Sequence, residues 1–313
     1  MSAGRALAAT FAAGVAVGAA GLAYAHWEAS QYRLRRETVP VLAPGQPDLT
    51  ILHLSDLHLT PAQRDKVEWV RSLADLEPDL VVDTGDNMAH LRALPPLLEA
   101  LGPLTRFPGA FVMGSNDYFS PRMKNPARYL TKDSRGPDGP RIGRPRDLPA
   151  DDLARELTRA GWVDLDNRRD TITLPDGRLV ELVGVDDPHL ELDRFPERVT
   201  EPDPTSVLRL GVAHAPYRRV LDDMYDDGAE LILAGHTHGG QLCVPGLGAL
   251  VTNCDLDRAR AKGVHGWPGA RPDTPEGAGS TWLEVCGGLG TNPYTPFRFA
   301  CRPEAVLLTL TAR

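Results

Sequence analysis

Short apolar runs alternate with amphipathic stretches along most of the chain. Leu49–Leu54 is apolar and β-branched, the pattern of a buried strand, and Lys66–Leu76 follows with Val67, Val70 and Leu73 at helical spacing. Asp79–Val82 repeats the strand pattern, Leu91–Leu101 the helical one, and Ala110–Met113 predicts a third strand. Asp151–Ala160 predicts a helix, with Asp at its start and Gly161 at its end. Further strands are predicted at Leu179–Val185, Val207–Ala213, Leu231–Ala234, Thr281–Val285 and Ala305–Thr311. Strand–helix alternation that passes into strand-rich sequence predicts an α/β fold with layers and more than one sheet.

Three segments stand outside this pattern. Ala6–Ala25 is a run of twenty residues without a charge, the length of a bilayer span but rich in Ala and Gly. Residues 1–28 are therefore expected to be an N-terminal transmembrane anchor or signal segment. An uncleaved single-pass anchor at the cell membrane is the first reading. A signal peptide cleaved after Ala23-Tyr24-Ala25, giving a secreted form, and a helix packed on the domain are the others. Arg33, Arg35 and Arg36 on one side against Arg5 on the other leave the side of the membrane open. Residues 29–48, with Pro40, Pro44 and Pro47, are expected to be an extended linker to a domain covering 49–313. The third segment is a basic insertion, 121–150, which sets eight cations against three anions and suits either a solvated loop or a flap over an anionic substrate.

Composition changes this picture little. Four cysteines in 313 residues exclude a disulfide scaffold, and a net charge of −8 argues against nucleic acid as a partner. Oligomeric state is not legible. The position of the histidines matters more than their number. Asp56 and His58 follow the first predicted strand, Asp86 the second, Asn116 and Asp117 the third, His214 a later one, and His236 with His238 the one after. Sites in open α/β sheets assemble at the carboxyl ends of strands. Imidazole with carboxylate is the ligand mix of Mn, Fe or Zn. Asp56, His58, Asp86, Asn116, His214, His236 and His238 exceed the needs of one four-coordinate ion and fit two divalent metals sharing a carboxylate. Such a pair, with a hydroxide between the ions as nucleophile, performs displacement at phosphorus.

SDLH, GDN, a lone His214 after a strand and GHTHGGQ, in that order, resemble the calcineurin-like metallophosphoesterases. The tail GGLGTNPYTPFRFACRPEAVLLTL is similar to that of the bacterial YkuE-like phosphodiesterase branch. The resemblance implies a four-layer α/β/β/α sandwich of two mixed sheets. It also implies that Asp56, His58 and His238 hold one metal, that His214 and His236 hold the other with an amide oxygen, and that Asp86 bridges. Gly114-Ser115-Asn116-Asp117 departs from the family's G-N-H-[DE]. Ser115 or Asn116 then supplies the ligand, Asn116 being preferred, and the usual catalytic His is absent. Asn116 and His189 are candidate helpers. The expected function is metal-dependent phosphoester hydrolysis, phosphodiesters foremost, on a substrate associated with the membrane. Two alternatives stand beside it: a metal-binding, membrane-anchored scaffold without turnover, and a lipid or nucleotide-sugar pyrophosphatase using the same site.

Overall fold

A computed structural model describes residues 3–123 and 145–313. Helix α1 (Ala3–Glu28) leads into β1 (Arg33–Leu42) and β2 (Leu49–Leu54). Next come α2 (Arg64–Ser72), β3 (Leu80–Asp83), α3 (Leu94–Leu101), β4 (Gly109–Phe111), the single turn α4 (Ser115–Tyr118), α5 (Ala150–Arg159) and β5 (Val163–Asp164). The second half holds β6 (Arg168–Thr173), β7 (Leu179–Val185), β8 (Ser206–Ala213), α6 (Arg218–Asp226) and β9 (Leu231–Ala234). A small hairpin, β10 (Cys243–Val244) with β11 (Gly248–Ala249), precedes β12 (Gly263–Trp267), β13 (Thr281–Val285) and β14 (Glu304–Ala312).

Two six-stranded sheets result, ordered β1-β14-β2-β3-β4-β5 and β12-β13-β9-β8-β7-β6. Both are mixed: β14 runs antiparallel to β2 and parallel to β1, while β12 and β6 are antiparallel edges on a parallel centre. The period of two along each strand decides the layering. On β2, Ile51 joins the core between the sheets with Val82, Leu210, Leu231 and Val306. Its neighbours Leu52 and Leu54 face outward against Val67 and Val70 of α2 and Leu97 of α3. On the other side Val220, Leu221 and Met224 of α6 cover Ile232 and Leu283. The layers are thus helices, sheet, sheet and helix, as the resemblance implied.

Two expectations are corrected. The presumed linker 29–48 supplies β1, an edge strand paired with β14 from Arg33↔Glu304 onward. Its charges hid it, and they are compensated at long range: Arg33 and Arg35 both meet the buried carboxylate of Glu304. The N-terminal segment does form a helix, but among the described residues no helix is long and apolar enough to cross a membrane. Alanine and glycine contribute too little hydropathy per residue. Most of α1 stands clear of the domain, with Phe11 75% and Val17 74% exposed, and only its last turn is seated. There the Glu28 carboxylate accepts the N–H groups of Ala300 and Cys301. Most of the basic insertion lies outside the described residues. No disulfide joins the four cysteines.

Candidate metal centre

Five strands of the two sheets end at one place, and each releases a turn that carries a polar side chain. The turns brace one another through their backbones: Asp56 N–H donates to Gly85 O at 2.8 Å, His58 N–H to Asp86 O at 2.9 Å, and Gly235 N–H to His214 O at 2.8 Å. Asp56, His58, Asp86, His236 and His238 all have positive φ, between 41° and 67°. For residues with a Cβ this left-handed conformation is costly, and it persists where the surroundings impose it, often at functional sites.

Two glycines allow the approach. A Cβ on Gly114 would lie 2.4 Å from Asp86 Oδ1, and one on Gly235 would lie 1.8 Å from Ser55 Oγ.

The side chains converge. Nε2 of His58 lies 3.2 Å from Nε2 of His238, 3.4 Å from Asp86 Oδ2 and 3.8 Å from Asp56 Oδ1. His238 Nε2 is 3.5 Å from the same Asp56 oxygen. Across Asp86, His214 Nε2 is 3.5 Å from Oδ1 and 3.3 Å from His236 Nδ1. Asp86 therefore turns one oxygen to His58 and the other to His214. Asp56, His58 and His238 form one set able to hold a metal, and Asp56, Asp86 and His214 another. Asn116 reaches Asp86 twice, through its backbone N–H at 2.6 Å and its side-chain amide at 2.8 Å. Of the two third-turn candidates, it is Asn116 that meets the carboxylate.

Three rings are fixed from behind. His214 Nδ1 donates to Thr84 O at 2.7 Å, His238 Nδ1 faces Gly290 O at 3.2 Å, and His236 Nε2 faces Asn253 O at 3.2 Å. Each hydrogen bond leaves the opposite nitrogen with its lone pair toward the centre. Burial pushes His58 down to about 3; burial with the His214 charge takes His236 to about 4; burial with Arg298 takes His238 to about 3. His214 differs: burial opposes its charge, but Asp86, Asp187 and Asp56 together raise it to about 9. Asp86 is likewise penalised by burial, yet His214 and His58 hold it far below the usual carboxylate range.

These residues fit divalent cations. Asp56 Oδ2 accepts hydrogen bonds from Ser55 Oγ and His236 N–H, whereas buried Oδ1 has no hydrogen-bond partner. That orphaned oxygen and the crowded nitrogen lone pairs carry a desolvation cost that a shared cation removes.

Other residues take their places around the centre. Asp117 accepts the N–H groups of Asp86, Asn87 and Gly114, so it holds two turns at once. His53 lies between the sheets, bonded to Glu284 and to Thr84 Oγ1. His189 comes to the centre from the turn after β7, its ring 4.6 Å from that of His236. Arg298 and Lys66 were not foreseen. Fully buried Arg298 donates to Gly287 O, Gly288 O and Gly290 O at 2.8–3.0 Å, fixing the loop that faces His238. An arginine inside the otherwise apolar PFRFAC was the available signal. Lys66 Nζ donates to Leu57 O, between two candidate ligands, at 2.7 Å.

Comparison with known proteins agrees with this geometry. The chain is 28% identical over 299 residues to an uncharacterized metallophosphoesterase of Aquifex aeolicus, covering 93% of this chain and 96% of that one. It is 25% identical over 320 residues to the uncharacterized metallophosphoesterase YkuE of Bacillus subtilis, covering 96% and 93%. Phosphodiesterase YaeI of Escherichia coli is 32% identical over 161 residues, half of each chain. The calcineurin-like phosphoesterase family matches residues 49–240. The chain belongs to that family, and is a metal-dependent hydrolase of phosphoric esters.

Proposed function

We propose that the chain hydrolyses phosphodiesters at a two-cation centre. Asp56, His58 and His238 would hold one ion and His214, His236 and Asn116 the other, with Asp86 shared. The observation that carries the reading is the Asp86 carboxylate, whose two oxygens lie 3.4 and 3.5 Å from one histidine of each set. Mn, Fe and Zn suit the mixed imidazole and carboxylate donors. When bound, such ions supply an activated water and draw charge from the phosphoryl oxygens. The chain's own part is to keep the donor lone pairs aimed inward and to keep competing water out: His58, His214, His236 and His238 are all buried. Diesters rather than monoesters are supported by the similarity to YaeI, which is named a phosphodiesterase.

Association with the cell membrane belongs to the same proposal. The exposed Phe11, Val15, Leu22 and Trp27 of α1 suit a lipid surface.

The full chain purified with its metal should carry close to two transition ions and hydrolyse bis(4-nitrophenyl) phosphate. A chelator should abolish that activity, and Mn, Fe or Zn should restore it. Protein that binds no metal and shows no diester hydrolysis with Mn, Fe, Zn or Mg would overturn the reading.

A further inference from the structure

Cleaving a phosphodiester breaks a P–O bond whose electron pair leaves with the departing oxygen. A hydrogen-bond donor fixed on that oxygen lowers the barrier most when the leaving group is poor. Four imidazoles of the centre are committed: His58, His214 and His238 face Asp56 or Asp86, and His236 faces His214. His189 stands beside His236, outside both candidate sets. Asp187 accepts its backbone N–H at 2.8 Å and so pins the turn after β7 that carries it. The His189 ring then lies 4.6 Å from that of His236. Its Nδ1 is 3.0 Å from the hydroxyl of Tyr217, four residues past the end of β8.

Tyr217 is itself held. It is buried, and the guanidinium of Arg219 lies 4.9 Å from its ring while pairing with Asp193 at 2.7 Å. Tyr217 also lines a cavity of about 1090 Å³ together with Arg218, Thr252, Leu256 and Trp267. Between the lining residues Thr252 and Cys254, the backbone carbonyl of Asn253 faces His236 Nε2 at 3.2 Å. Tyr217 thus stands between this cavity and the centre, its hydroxyl against His189 and its ring 6.5 Å from that of His236.

We propose that Tyr217 donates its O–H to His189 Nδ1, so that His189 Nε2 carries the ring proton and donates to the leaving oxygen of a phosphodiester. The organic group departs into the cavity beyond Tyr217. This inference rests on the phosphodiesterase reading above. In the step, the oxygen of a water bonds to phosphorus while the P–O bond to the leaving group breaks. The electron pair of that bond goes to the departing oxygen, held by the His189 hydrogen bond. The water gives one proton to solvent, and the released alcohol regains one from solvent.

The test is a series of methyl aryl phosphates, from 4-nitrophenyl to unsubstituted phenyl, with the full chain in manganese. His189→Ala should lose roughly tenfold in kcat/KM on the nitrophenyl ester and about 10²–10³-fold on the phenyl ester. Tyr217→Phe should show the same bias more weakly, and His189→Gln, which keeps an N–H donor, should recover part of it. The ratio between esters is taken within one preparation, so incomplete folding of a variant does not change it. An equal loss on every ester, with active wild-type protein, overturns the role of His189 alone. Wild-type protein that carries metal and cleaves none of the diesters overturns the underlying reading, and this one with it.

Discussion

Lys66 is the clearest case of a single side chain set against its surroundings. It is only 2% exposed, and burial, with the Arg298 charge second, lowers its amine to about 7. In the unfolded chain an ordinary lysine titrates at about 10.4. Between those values the unfolded chain holds a proton that the folded chain has released, so stability rises with pH through that window and is flat below it. The contribution is about 1.4 kcal/mol per pH unit inside the window. Lys66→Met should remove this slope, read as urea midpoints at pH 7, 8 and 9 for both proteins. Equal slopes in the two would show that Lys66 is solvated or paired in solution. The left-handed backbone at Asp56, His58, Asp86, His236 and His238 belongs to the same scale. Residue type alone gave no sign of it, because each conformation is imposed by a turn braced from another strand.

Each turn works only because its neighbour comes very close. Ser55 Oγ donates to Asp56 Oδ2 at 2.6 Å, directly where a Cβ on Gly235 would sit. Gly235→Ala should displace Ser55 and Asp56 and weaken manganese binding by about 10–100-fold, the usual effect of disturbing a group behind a ligand. Ser55→Gly in the same chain should recover part of that loss, and an unchanged isotherm in Gly235→Ala would contradict the packing account. Such closeness was hidden in the sequence, while the elements that create it were largely open to view. Leu179–Val185, Leu231–Ala234 and Thr281–Val285 are strands over the spans their apolar runs predict. The ligand residues were legible for a related reason, since each follows such a run within a few positions. What escaped notice was stabilised from far away. β6 reads RRDTIT because it is a half-exposed edge, and β1 reads as a linker because Glu284 and Glu304 neutralise it from the other end of the chain. Helix α6 was missed although Val220, Leu221 and Met224 give it a buried face. Arg298 escaped because its partners are backbone carbonyls, which leave no trace in residue type.

Between the sheets, charge rather than apolar packing joins the two halves at one point. Arg35 of β1 pairs with Glu304 of β14 at 3.0 Å in its own sheet and with Glu284 of β13 at 2.5 Å in the other. Both carboxylates are fully buried, so Arg35→Met would leave two of them short of a partner at a cost of about 3–5 kcal/mol. Calorimetry should show a fall in Tm of about 10 °C. Arg64→Met, which breaks only the exposed pair with Glu99, should shift it by about 2 °C or less. Similar shifts in the two variants would mean that the inter-sheet pair contributes no more than a surface one. The sheet order has one more consequence. β14 lies between β1 and β2, far earlier in the chain, so during synthesis those two strands stand apart until β14 has been made. Arg33 and Arg35 wait on one side of that gap for Glu304, and the first sheet closes only when β14 arrives. Loss of β14 would therefore leave every candidate metal ligand in the chain, yet expose two open strand edges that invite association with other chains.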